Sequence, residues 1–105
     1  MTDACRTALY DFATHTGSWP DALVLHGWGK DTAEGREAVR RLRSLSEAAL
    51  GLLNKLIADT QHTLSPAAGC AELADEAEVI AATCPNDAIG DPIRGFAAAL
   101  RAACC

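Results

Sequence analysis

The chain is short of most residue types that announce a function. Its 105 residues include 2 Trp, 1 Tyr, 2 Phe and 1 Met, which leaves few large side chains for a core. Alanine fills 22 positions, so any helices it builds form readily and contribute little bulk. Basic charge is scarce as well: 9 Lys plus Arg stand against 14 Asp plus Glu, a net charge of −5. That balance argues against direct nucleic-acid binding, which needs a basic surface to neutralise phosphates. No apolar run approaches the ~18 residues of a membrane span, and no basic-then-apolar signal segment opens the chain. The expectation is a soluble, cytoplasmic protein of one domain over residues 1–105.

Catalytic and metal motifs are missing too. Cys5, Cys70, Cys84, Cys104 and Cys105 contain no C-x-x-C pair, and His15, His26 and His62 have no partner at ligand spacing. Structural zinc draws on such close pairs, so no metal is expected. Cys70 and Cys84 fall on apolar seams, where cysteine acts as a small hydrophobe. The adjacent Cys104 and Cys105 are expected to be exposed and oxidisable. No serine sits in a nucleophile-elbow setting, and Ser65 reads better as a helix cap. No catalytic residue and no cofactor is assigned, and a non-enzymatic role is expected.

What the sequence does have is helical periodicity. From Asp31 to about His62, apolar residues recur at Ala38, Leu42, Leu45, Ala49, Leu52 and Leu56, steps of 4, 3, 4, 3, 4 that mark a helix packed on another helix. Asp31 and Glu34 have the spacing of a capping box. Ser65-Pro66 opens a second helix whose seam, Cys70, Leu73, Ala77, Ile80 and Cys84, runs to Pro85. Asp91-Pro92 repeats the start signal for a helix with Ile93, Phe96, Leu100 and Ala103. Before the long helix, Thr2 or Asp3 caps a segment carrying Cys5, Leu9 and Phe12 that Gly17 is expected to end. Residues 18–30 hold either one helical turn or a short extended piece. The fold class is all-α: a long central amphipathic helix bundled with three or four shorter ones.

The long helix has an apolar arc of roughly 160°, wider than the ~100° stripe of an ordinary surface helix. Leu42, Leu45, Ala49, Leu52 and Leu56 suit the chain's own helices. Val39, Leu50, Leu53 and Ile57 form a second ridge, which either is covered within the chain, pairs with a second copy to make a homodimer, or accepts a foreign protein. Arg36, Arg40 and Arg43 line the edge of this ridge and oppose the helix dipole. They either meet the acidic segment 72–91, with 87–91 opposite 37–41, or form the arginine rim of an interface. Trp28, between Gly27 and Gly29, is a candidate anchor for a partner or a lid over the bundle end.

The length, the acidic charge and the long helix with Leu42-Arg43-Ser44-Leu45 and Leu50-Gly51-Leu52-Leu53 resemble the format of small helical quorum-sensing antiactivators of the QslA and TraM kind. The resemblance implies a cytoplasmic bacterial regulator that sequesters a transcriptional activator and blocks its dimerisation or DNA binding. Phage-encoded inhibitors and antitoxin or immunity proteins share the composition. In outline the long helix also resembles that of dimeric chorismate mutases, in which Arg36, Arg40 and Arg43 would surround a dicarboxylate.

Overall fold

A computed structural model of the chain describes residues 2–25, 32–85 and 87–104. They form four helices: α1 (Asp3–Leu25), α2 (Ala33–Ala58), α3 (Pro66–Ala82) and α4 (Asp87–Cys104), with no strand among the described residues. No helix there is long and apolar enough to cross a membrane. The all-α expectation holds.

α1 opens where the Thr2 hydroxyl accepts the Cys5 N–H at 3.1 Å. It then runs through Gly17 and Pro20 to Leu25, longer than expected. Gly17 does not stop the helix. It lets α2 come close, since a Cβ there would lie 2.8 Å from Ser46 Oγ. At that contact the Ser46 hydroxyl donates to the Ala13 carbonyl at 2.8 Å. Pro20 removes one helical N–H, a penalty of about 3 kcal/mol. However, Pro20 and Leu23 are both fully buried, and each buried apolar side chain returns roughly 1.5–3 kcal/mol. Packing therefore carries the helix past the proline.

α2 is capped by Thr32, whose side chain accepts the Gly35 N–H at 2.9 Å. The expected cap, Asp31, lies outside the described residues. The helix ends at Ala58 rather than His62 because Asp59 turns the chain. Its carboxylate accepts the backbone N–H groups of Thr63 at 3.1 Å and Leu64 at 2.7 Å, and His62 takes a left-handed φ of 53°. Ser65-Pro66 does start α3, without a side-chain cap bond. α3 stops at Ala82, so half-buried Cys84 lies beyond it. α4 starts at Asp87, a turn before the expected Asp91-Pro92, and the extra turn buries Ile89 and Gly90.

The helices form a ring in which α1 packs on α2 and α4, and α3 packs on α2 and α4. Neighbours are antiparallel: Cys5 and His15 of α1 meet Cys104 and Phe96 of α4, Arg101 and Arg94 of α4 reach Asp75 and Ala81 of α3, and Arg41 and Leu52 of α2 meet Glu76 and Gly69 of α3. The long helix is thus one corner of a ring, and its broad arc serves two neighbours of its own chain. Phe12, Leu9, Leu23, Leu42, Ile80, Ile93 and Leu100 fill the interior. Ala49, Ala74, Ala77, Ala81 and Ala97 are fully buried and let the helices close in.

One end of the ring gathers the start of α1, the end of α2, the start of α3 and the end of α4. There Cys5 and Cys104 form a disulfide with Cα atoms 4.9 Å apart. Cys104, expected to be exposed, is 9% accessible, because the last turn of α4 folds against the first turn of α1. Cys105 lies outside the described residues.

Candidate functional site

The ridge expected from the sequence is divided by the fold. Val39 and Leu53 are buried at 8% and 5% accessibility, whereas Leu50 and Ile57 stand 43% and 51% exposed. Val39 and Leu53 are core residues because α1 lies across that side of α2, so a continuous four-residue ridge does not exist. Tyr10 lies one turn before Ala13 and Leu50 one turn after Ser46. As α1 and α2 are antiparallel, these two exposed side chains come to the same level on the outer edge of the seam.

The expected meeting of the arginine row with the acidic segment occurs through a different arginine. Arg41 binds Glu76 across α2 and α3, with Nε donating to Oε1 at 2.8 Å. Asp87 and Asp91 do not oppose residues 37–41; Arg94 of their own helix holds both, at 3.8 and 3.0 Å. Arg40 folds back on Glu37, one turn earlier, with Nε donating at 2.9 Å. That hydrogen bond holds the Glu37 carboxyl below its usual range, and Glu37 offsets arginine charge near the positive end of the helix dipole. Arg36 and Arg43 are exposed. Trp28 lies outside the described residues.

A concavity lies on the other side of α2. Between α2 and α3 runs an open groove of about 680 Å³. Leu45, Ala48, Leu52 and Leu73 give it an apolar floor; Arg40, Ser44 and Lys55 line its α2 side, and Glu72 lines its α3 side. The Arg41–Glu76 pair bridges both walls. Two glycines shape the groove. Nothing lies within 4 Å of the position a Cβ would take on Gly51, and Gly69 lets Leu52 lie flat on α3. From Arg41 to Lys55 the groove follows α2 for about 21 Å, four helical turns. The periodicity assigned Leu45 and Leu52 to the chain's own packing and missed the groove; the interior glycines at 51 and 69 were its only trace.

A second, smaller concavity of about 560 Å³ follows α1 and α4, where His15 stacks on Phe96 with ring centroids 4.4 Å apart. His15 Nδ1 is 2.7 Å from the Asp11 carbonyl, which makes it the donor there and fixes the tautomer. Among the described residues one group of metal-capable side chains comes together: the sulfurs of Cys5, Cys70 and Cys104 lie within 4.8 Å of one another, all buried. Burial pushes the Cys84 thiol up, with Arg94 opposing weakly, so Cys84 is a poor nucleophile.

No family model, curated protein or solved structure matches this chain.

Proposed function

We propose that the chain is a small non-enzymatic binding protein that acts on a larger protein by taking one of its amphipathic helices into the α2–α3 groove. The observation that carries this reading is the groove's composition: an apolar floor of Leu45, Ala48, Leu52 and Leu73, two turns long on α2, flanked by Arg40 and Lys55 on α2 and by Glu72 on α3. A helix laid in such a groove inserts apolar side chains at i, i+3, i+4 and i+7. The wall charges favour a helix with acids along one edge and bases along the other, and so set its orientation. The resemblance to quorum-sensing antiactivators extends the reading to a transcriptional activator as the target, held away from its own dimer or from DNA. Phage-type inhibition and toxin neutralisation use the same contact with other targets.

The paired exposure of Tyr10 and Leu50 favours a second reading alongside the first, a homodimer through the outer edge of α1 and α2. In that arrangement the groove stays open to the partner.

A photo-crosslinking residue at Ala48, in the groove, tests the proposal against one at Tyr10, on the outer edge, both in living cells. The expected product at position 48 is a heterologous protein joined through a segment of amphipathic helical pattern. A product at position 10 with none at 48 overturns the groove reading.

A further inference from the structure

The sulfur cluster at the bundle end goes beyond any binding role of the groove and rests on separate residues. Cys5 lies in the first turn of α1, Cys70 in the second turn of α3 and Cys104 in the last turn of α4. Three helices whose cysteines are far apart in sequence thus bring their sulfurs within 4.8 Å of one another. Accessibilities of 1%, 0% and 9% keep them from water. In the oxidised chain Cys5 and Cys104 form the disulfide, and the Cys70 thiol stands against it.

The geometry points to a redox-gated site for a soft monovalent ion, Cu(I), held by three thiolates from Cys5, Cys70 and Cys104. The donor set decides the class of metal. Sulfur-only ligands reject hard cations and select Cu(I) or zinc. Zinc needs a tetrahedron of four ligands, or three and a water, yet no fourth Cys, His, Asp or Glu joins the cluster among the described residues. Three buried sulfurs without a fourth ligand among the described residues match a trigonal ion. Helix position favours a thiolate at Cys5, in the first turn of α1, and opposes one at Cys104, in the last turn of α4, so the bound cation must offset the charge.

The disulfide is the gate. An external dithiol donates two electrons and two protons to the Cys5–Cys104 bond and is itself oxidised to a disulfide. The two thiols released, together with that of Cys70, then lose their protons to solvent as Cu(I) binds. While the disulfide stands, only the Cys70 sulfur can coordinate, and no site exists. With the ion bound, three sulfur–copper bonds tie α1, α3 and α4 together in place of the α1–α4 staple.

The test is anaerobic titration of the full chain with Cu(I), delivered from a chromophoric chelator, before and after reduction with a phosphine. Expected are one Cu(I) per reduced chain, an X-ray absorption spectrum with three sulfurs around the copper, and negligible binding to the oxidised chain. Cys70→Ala should weaken the reduced chain's affinity by more than the roughly tenfold to hundredfold that losing an outer-shell partner costs. Cys84→Ser and Cys105→Ser should bind as the parent does. Two sulfurs around the copper of the parent chain, equal binding by Cys70→Ala, loss of the ion in Cys105→Ser, or equal binding by the oxidised chain would each overturn the assignment. The absorption spectrum is taken on the parent, so the answer does not depend on whether the variant folds.

Discussion

Gly69 of α3 supports Leu52 of α2: a Cβ at position 69 would come within 2.8 Å of one Leu52 methyl and 3.2 Å of the other. The leucine lies against the backbone of α3 and leaves the groove beside it open. Gly69→Ala moves the flexible end of Leu52 into the groove. An alanine in a helix interior is favoured over glycine by about 1 kcal/mol, which offsets the repacking. The expected outcome is a chain whose thermal stability changes by less than about 1 kcal/mol and whose groove no longer accepts a helix. Differential scanning calorimetry and binding to the partner crosslinked at Ala48 check both halves.

Leu53→Arg and Leu50→Arg separate core from surface on the same helix. Leu53 is buried in the core, and an arginine there leaves an unpaired charge, so destabilisation by several kcal/mol is expected. Leu50 is half-exposed, and its change should stay within about ±0.5 kcal/mol. Urea unfolding followed by circular dichroism distinguishes them. Light scattering adds the oligomeric state. A parent dimer of the 11.0 kDa chain that becomes monomeric in Leu50→Arg places the dimer on the outer α1–α2 edge. A variant that remains dimeric removes that edge from consideration.

The Cys5–Cys104 disulfide closes a loop across a sequence separation of 99 residues, which restricts most of the unfolded chain. Such a bridge contributes about 2–4 kcal/mol, on the order of 10 °C in Tm for a small domain. Reduction in the absence of metal should lower Tm by that amount, and Cys5→Ala should match it. A Tm indifferent to reductant would contradict the bridge.

Much of the fold was legible because it depends on local chemistry. The 4-3 spacing from Ala38 to Leu56 marked α2, and Ser65-Pro66 marked the start of α3. Signals whose meaning depends on distant contacts were misread. Gly17 looked like a stop, yet it serves Ser46, 29 positions later in the chain. Asp91-Pro92 looked like a helix start, yet burial of Ile89 extends α4 a turn before it. Cys5 and Cys104 carry no sequence sign of being neighbours, because only the ring of helices joins the chain's ends. The ridge on α2 failed for a related reason: periodicity gives the width of an apolar arc but not which neighbour covers it.

Acid should loosen the α2–α3 connection before it unfolds the bundle. The Asp59 carboxylate is held below its ordinary value of 3.8, chiefly by the Leu64 N–H, with the Thr63 N–H and hydroxyl adding to it. A carboxyl with a depressed folded pKa contributes stability that is fully present above its unfolded pKa and lost as pH falls through the folded value. The Thr63 and Leu64 amide resonances should therefore titrate below pH 3.8 while the core resonances of α1 and α4 stay fixed. Asp59→Asn should remove that titration. Amides that titrate identically in the variant would contradict the turn.

We expect the α2–α3 groove, and no other face, to hold the partner helix. The most direct measurement is the affinity of the protein crosslinked at Ala48 for Ala48→Arg compared with Leu50→Arg, each on a chain of parental stability. Expected are more than a tenfold loss, above about 1.4 kcal/mol, for Ala48→Arg and parental binding for Leu50→Arg. Parental binding by Ala48→Arg, with the loss falling on Leu50→Arg, would contradict this reading and move the interface to the outer edge of α1 and α2.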